Sequence, residues 1–129
     1  MKIQCFDAFI TIATDNLQLL VDFYSQILQQ QPEIYRSAVY AEFQLMEIRL
    51  AIFQPQLERQ SEFNNLGSSI SICLEVEQLE QAIAVMSELG CPPPGDIIEA
   101  SHGREIYAYD PAGNRLILHQ SSTSTSLEQ

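Results

Sequence analysis

Hydrophobic and polar positions follow a strand period and then a helix period at the start of this chain. The stretch FITIA, residues 9–13, is β-branched and aromatic, which predicts a strand. Asn16 stands where a helix N-cap would, and the apolar residues after it have the i, i+3, i+4, i+7, i+8 spacing of one buried helix face: Leu20, Phe23, Tyr24, Ile27 and Leu28. Pro32 predicts the end of this helix.

A similar order of patterns occurs again later in the chain. Three strand-like segments, EIYR, AVYAEFQL and EIRLAIFQ, follow the first helix, and the polar residues 55–69 predict a linker. SICLEV then predicts a strand, and a second amphipathic helix, ended by Gly90 and Pro92, has its apolar positions at Leu79, Ala82, Ile83, Met86 and Leu89. DIIEA, REIYAY and RLILHQ predict three more strands.

The two halves align with each other. An offset of 62 residues pairs Ile10 with Ile72 and Leu17 with Leu79, and an offset of 66 aligns RLAIFQ (49–54) with RLILHQ (115–120). The order βαβββ therefore occurs twice, which indicates an internal duplication. We predict an α+β fold of two βαβββ modules in a single domain, 1–129: module 5–54, linker 55–69, module 70–120 and a flexible tail 121–129 that has nothing to bury.

Composition and charge narrow the function classes. The 129 residues are 46% hydrophobic, enough for one domain with its own core, and the formal net charge is −11 with six scattered basic residues. We therefore expect neither nucleic acid nor an anionic membrane as a partner. No apolar run is long enough to span a membrane and the N-terminus lacks signal-peptide features, so we expect a cytoplasmic protein. The three cysteines have no CxxC spacing, which argues against both a disulfide framework and a zinc knuckle.

Two longer motifs resemble those of a known superfamily. ITIATDNLQLLVDFYSQIL opens the first half and YDPAGNRLIL closes the second. Together with the duplicated module they resemble the vicinal oxygen chelate superfamily, which includes glyoxalase I, bleomycin-resistance proteins and extradiol dioxygenases. The resemblance covers about residues 5–120, and its most specific parts are Phe23-Tyr24 at their spacing from Asn16 and the DPxGN turn at 110–114.

The resemblance implies curled sheets around a cavity, in which His or Glu ligands from both modules hold one divalent ion. The matching positions here are Phe9 in the first strand and Ser71, its counterpart in the second half. The position in the final strand is Ile117, and its counterpart in the first half is Ala51, or Arg49 if the strand is shifted by two residues. Phenylalanine, alanine and isoleucine donate no lone pair, and an arginine repels a cation. We therefore predict that the inherited metal site is absent, with no metal and no cofactor.

Strand alternation assigns a set of residues to the predicted cavity. Their face would be apolar in its middle and polar towards its edges, the usual make-up of a small-molecule pocket. The set consists of Phe9, Thr11, Arg49, Ala51, Phe53, Ser71, Cys73, Arg115, Ile117 and His119.

Several of these residues keep two interpretations. His119 is either a solvated histidine at a strand end or a ligand-contacting or acid/base group, and Cys73 is favoured as a small buried hydrophobe over a nucleophile. Arg49 and Arg115 either form surface salt bridges or flank an anionic ligand. Glu75 is expected to face solvent. His102 and Glu105 form an HxxE pattern, but their place in a turn predicts that the two side chains do not share a face.

Two function classes follow. The favoured hypothesis is a glyoxalase/bleomycin-resistance/dioxygenase-like protein, metal-free and without catalytic activity, that binds a small organic molecule in its cavity, as bleomycin-resistance-type members sequester their drug. The alternative is a lyase, isomerase or dioxygenase that uses a relocated metal site with His119, Glu75 or Cys73, or acid/base catalysis by His119. A scaffold role is a third possibility. The resemblance also implies a homodimer, and pairing of modules within one chain or between two stays open.

Overall fold

Two compact units make up the chain. The computed structural model describes residues 4, 7–63 and 70–122. The chain divides into the units Met1–Leu66 and Gly67–Gln129. Each contains one four-stranded mixed sheet and one main helix, so the predicted α+β fold of two βαβββ modules is confirmed.

The first unit follows the predicted order of elements, with one addition. Its elements are β1 (Ile10–Ala13), α1 (Leu17–Leu28), β2 (Ile34–Arg36), β3 (Tyr40–Leu45), β4 (Ile48–Phe53) and a 3-10 helix, η1 (Leu57–Phe63). The helix η1 lies within the segment 55–69 that had been predicted as a linker, because its polar sequence has no helical period. Residues 64–69 of that segment lie outside the described residues.

The second unit repeats this order. Its elements are β5 (Ile72–Glu75), α2 (Leu79–Glu88), β6 (Ile98–Ala100), β7 (Gly103–Tyr109) and β8 (Arg115–Ser121). The strand β8 includes the first residue of the predicted tail, and residues 123–129 of that tail lie outside the described part of the chain.

The sheets have the same topology in both units. The strand orders are β1-β4-β3-β2 and β5-β8-β7-β6, with the first pair parallel and the others antiparallel. Ile10 pairs with Leu50, and Ile72 pairs with Leu116. These pairs are related by the offsets of 62 and 66 found in the sequence, so the duplication extends to the backbone register.

Helix α1 packs its apolar face on one side of the first sheet. Its N-cap is Asn16, whose side chain accepts a hydrogen bond from the amide of Leu19 at 3.1 Å. Tyr24 is fully buried, and its ring lies 5.0 Å from that of Phe23 and 6.4 Å from that of Phe43, between ring centroids. The sheet therefore has one face covered by α1, and its opposite face, which α1 does not cover, is called the helix-free face.

A glutamine joins the last long strand to the helix start in each unit. The side-chain oxygen of Gln54 accepts from the amide of Leu17 at 3.0 Å, and that of Gln120 accepts from the amide of Leu79 at 2.7 Å. These bonds satisfy helix amides that have no partner within the helix. None of the described helices is long and apolar enough to cross a membrane.

Candidate functional site

On the helix-free face of the first unit, an ion-pair network surrounds Arg49. Its guanidinium bonds to Glu42 at 3.0 Å and to Asp7, and it lies 4.6 Å from the centroid of the Phe9 ring. The Tyr40 hydroxyl donates to Glu42 at 2.7 Å. The hydrogen bonds from Tyr40 and Arg49 lower the pKa of Glu42, so this carboxylate stays charged. Of the two alternatives for Arg49, the structure therefore shows the salt bridge.

An open groove of about 750 Å³ occupies the same face beside this network. Its apolar wall contains Ile34, Val39, Phe53 and Phe63, and the rings of Phe53 and Phe63 meet edge to face with centroids 5.1 Å apart. Phe63 comes from η1, which the sequence pattern did not predict. Phe53 is the member of the predicted cavity set that lines this groove, whereas Thr11 is exposed and Ala51 is fully buried.

A second cleft, of about 880 Å³, lies between α1 and β2. It is lined mainly by amide side chains, among them Gln18, Gln26, Gln29 and Gln30, with Asp22 as its acidic member. It is the larger of the two, but its lining is mostly polar, whereas the groove beside Phe53 has an apolar wall. The groove beside Phe53 is therefore the better candidate for ligand binding.

The corresponding face of the second unit carries titratable groups. Glu75 pairs with His119 across β5 and β8, and Glu105 pairs with His119 across β7 and β8, so the three side chains form one row. The Nδ1 atom of His119 lies 2.5 Å from Glu75 Oε2. His119 is buried, so the alternative of a solvated strand-end histidine is wrong.

His102 joins this row from the turn before β7. Its ring stacks on that of His119, with centroids 5.2 Å apart and planes 16° apart. The potential metal-binding atoms of His102, Glu105 and His119 all lie within 4.8 Å of one another. The expectation that His102 and Glu105 do not come together is wrong, because the turn brings His102 back over the row to which Glu105 belongs.

The remaining predicted site residues of the second unit lie in neighbouring rows. Arg115 donates to the Ser71 hydroxyl at 2.8 Å, and Cys73 pairs with Ile117, which is half-buried. Cys73 is exposed, so the expectation of a buried thiol is wrong. Desolvation and, after it, the charges of Glu75 and Glu105 raise the pKa of the Cys73 thiol, which disfavours the nucleophilic thiolate.

Comparison with known proteins supports the fold. No protein-family model matches the sequence, and no curated protein matches it significantly. Among solved structures, a glyoxalase/bleomycin resistance protein from Catenulispora acidiphila has a TM-score of 0.64 at 21% identity, over 90% of this chain and 98% of its own. The fosfomycin resistance protein FosX from Listeria monocytogenes has a TM-score of 0.73 at 16% identity, over 93% and 96%.

A glyoxalase/bleomycin resistance protein/dioxygenase family enzyme from Burkholderia phytofirmans has a TM-score of 0.73 at 15% identity, over 88% of this chain and 96% of its own. These proteins belong to the vicinal oxygen chelate superfamily. This chain has the vicinal oxygen chelate fold.

In this vicinal oxygen chelate fold, the residues at the expected metal-ligand positions do not suit a metal ion. Phe9 lies against the guanidinium of Arg49, and the Ser71 hydroxyl accepts a hydrogen bond from Arg115. Each of these first-strand positions therefore contacts an arginine, and Ile117 has no donor atom. No metal-dependent reaction step is assigned to these positions.

Proposed function

We propose that this protein binds a small amphipathic organic molecule in the groove of the first unit, without a metal ion at the inherited ligand positions. The observation that carries the proposal is the apolar wall of that groove. Val39 is 51% exposed, Phe63 46% and Ile34 41%, so a ligand would remove substantial apolar surface from water. The volume of about 750 Å³ lies within the usual range for small-molecule sites.

The charges around the groove favour a ligand with an acidic group. Arg36 and Arg59 line the groove, and both are exposed. Within the described residues neither forms a salt bridge with a carboxylate, in contrast to Arg49. Glu42 and Glu62 also line the groove, but Arg49 balances the charge of Glu42, so the two arginines outnumber the one remaining carboxylate. A carboxylate or sulfonate on the ligand could therefore pair with the guanidinium of Arg36 or Arg59.

The test is a fluorescence titration with anilinonaphthalene sulfonate, a probe that combines aromatic rings with one anionic group. We expect saturable binding to the native protein, weakened about tenfold by Phe63→Ala, which loses roughly 1–2 kcal/mol of apolar contact. Arg59→Gln should also weaken binding. Val85→Ala, at an exposed apolar position on α2, is the matched control and should bind as the wild type does. Equal affinity in all four proteins would contradict the proposal.

A blocking variant gives a second test. Ala51 belongs to the predicted cavity set, but it is fully buried between Thr11 and Glu42 in the sheet, so a tryptophan there would disturb the fold. Val39→Trp places the ring at an exposed position of the groove wall. It should abolish probe binding while leaving the free energy of unfolding within about 0.5 kcal/mol of the wild-type value.

A specific contact supports catalysis at His119 as a second candidate function. Glu75 orients the His119 ring through its Nδ1 atom, as a carboxylate orients a catalytic base. The test is turnover of dicarbonyl, thiol-adduct and catechol substrates by the wild type, by His119→Gln and by Glu75→Gln. Turnover that is lost in the first variant and shows a shifted pH profile in the second would support this role. Absence of turnover by the wild type on all three substrate classes would contradict it.

A further inference from the structure

We propose that the second unit binds one divalent transition-metal ion, such as zinc, through His102, Glu105 and His119. This site shares no residue with the proposed groove of the first unit. It also shares none with the inherited ligand positions Phe9, Ala51, Ser71 and Ile117. The proposal departs from the expectation of a metal-free protein, which rested on those inherited positions and on the expected separation of His102 from Glu105.

The backbone brings the three side chains together. Glu105 and His119 are directly opposite each other in the antiparallel pair of β7 and β8. His102 occupies the turn before β7 and stacks on His119. The three potential ligand atoms already lie within 4.8 Å of one another, so small side-chain rotations suffice to bring them around one ion. His102 is exposed, which leaves a path from solvent to the site.

The second observation is the state of the His119 ring. Its Nδ1 atom faces the carboxylate of Glu75, an acceptor, so in the neutral imidazole Nδ1 carries the proton and Nε2 presents its lone pair. Nε2 is buried and has no hydrogen-bond partner among the described residues, and the side chain is 9% exposed. A buried acceptor without a partner is unfavourable, and a bound ion would satisfy it. A carboxylate on one ring nitrogen is the usual support for a histidine that binds metal through the other.

The backbone of residue 103 lies directly beside the His119 ring, and a glycine permits this approach. An added Cβ atom at this position would lie 3.0 Å from His119 Nε2 and 3.1 Å from Cε1, and closer still to the Gln120 carbonyl oxygen. Gly103 has φ 144°, which only glycine adopts readily. Any side chain at residue 103 would therefore press against the ring nitrogen that offers the lone pair.

The first unit shows that the vicinal oxygen chelate fold does not itself require this polar cluster. In the matching row of its sheet, Phe53 pairs with Ala13 and Tyr40, where the second unit has His119 with Glu75 and Glu105. The duplicated backbone therefore folds with apolar and aromatic side chains in these positions. The cluster is specific to the second unit.

The donor set indicates the class of ion. Two imidazole nitrogens and one carboxylate oxygen suit zinc, cobalt or nickel, whereas magnesium and calcium prefer oxygen donors alone. Three protein ligands leave a fourth position of a tetrahedral ion for water or another small molecule.

The test is calorimetric titration of the tag-free protein with Zn²⁺, together with NMR of the imidazole side chains. The chain contains two histidines, so the imidazole signals are unambiguous. We expect one ion per chain and shifts of both imidazoles. His102→Ala and Glu105→Gln alter accessible side chains and should fold, and each should weaken binding by about 100-fold or more. Glu75→Gln should weaken it by about 10-fold to 100-fold, as is typical when the carboxylate that holds a ligating histidine is lost.

Two control variants separate this site from adventitious binding. Glu99→Gln removes another carboxylate from the same β6–β7 hairpin, and Cys73→Ala removes an exposed thiol from the neighbouring row; neither should change the affinity. The proposal would be overturned by absence of Zn²⁺ binding, or by binding that survives both His102→Ala and Glu105→Gln. Loss of binding in Cys73→Ala alone would overturn it as well. None of these outcomes bears on the groove of the first unit, which the fluorescence titration tests independently.

Discussion

The glycine at position 103 allows a quantitative test of the local geometry around His119. Replacing it with alanine adds one methyl group at a position where the backbone conformation and the surrounding atoms both oppose a side chain. The φ of 144° is in the range that L side chains rarely adopt, and the new Cβ would lie well within van der Waals contact of the Gln120 carbonyl oxygen. That oxygen belongs to the backbone of β8, so it has little freedom to move.

Two other glycines separate the effect of backbone strain from that of steric crowding. Gly90 has φ 85°, and no described atom lies within 4 Å of an added Cβ. Alanine there should therefore lower the free energy of unfolding through backbone strain alone, by about 1–2 kcal/mol. Gly95 has equally open surroundings without a positive φ in this range, so alanine there should be neutral or stabilise by up to about 1 kcal/mol. For Gly103→Ala, backbone strain should lower the free energy of unfolding by about 1–3 kcal/mol, and overpacking should lower it by about another 1–3 kcal/mol.

The assay is urea denaturation of the three variants beside the wild type. At a slope of about 1–3 kcal/mol per molar urea, Gly103→Ala should lower the midpoint by about 1 M or more, and Gly90→Ala by less. Gly103→Ala should also reduce Zn²⁺ affinity, because its methyl group would press against the His119 ring and displace Nε2 from its position. A Gly103→Ala protein as stable as Gly90→Ala would refute the argument, since the Gln120 carbonyl and the His119 ring would then be free to give way.

Other predictions concern charge and capping. Hydrogen bonds lower the folded-state pKa of Glu42 below its ordinary 4.5, so its stabilising contribution is present above that pH and lost as pH falls through the folded-state value. Urea midpoints at pH 7 and pH 3 should therefore differ less for Glu42→Gln than for the wild type. Gln54→Ala and Gln120→Ala each remove a helix-start hydrogen bond and should each lower the free energy of unfolding by about 1 kcal/mol. Side-chain hydrogen bonds from Arg104 lower the pKa of Glu80 to about 2, and NMR titration of Arg104→Gln should return it close to 4.5.

Most of the fold could be predicted from sequence because it depends on local periods and their repetition. The cap at Asn16, the buried Tyr24 and the offsets of 62 and 66 all reappear in the structure. Each of these signals is carried by residues near one another in the chain, or by the same pattern occurring twice. The sequence pattern did not predict η1, because most of its residues are polar and its two apolar residues, Leu57 and Phe63, do not form a helical period.

The candidate sites were harder to predict because they depend on contacts between distant residues. The alternation rule placed Phe53 and His119 on the helix-free faces, and the strand pairing agrees with that assignment. The alternation rule does not apply to Phe63, which reaches the groove from η1. The rule also left out His102, since a turn residue has no defined face until the strands after it are paired.

The sequence by itself determined the duplicated βαβββ order, the helix faces and the absence of ligand side chains at the inherited metal positions. Those properties follow from residue type and spacing along the chain. The tertiary structure alone decided that Arg49 is used in an ion pair, and that His119 is buried against Glu75 with one ring nitrogen unpaired among the residues that the structure describes. Such facts depend on which strands pair and in which register, because pairing brings side chains 44 residues apart to within hydrogen-bond distance.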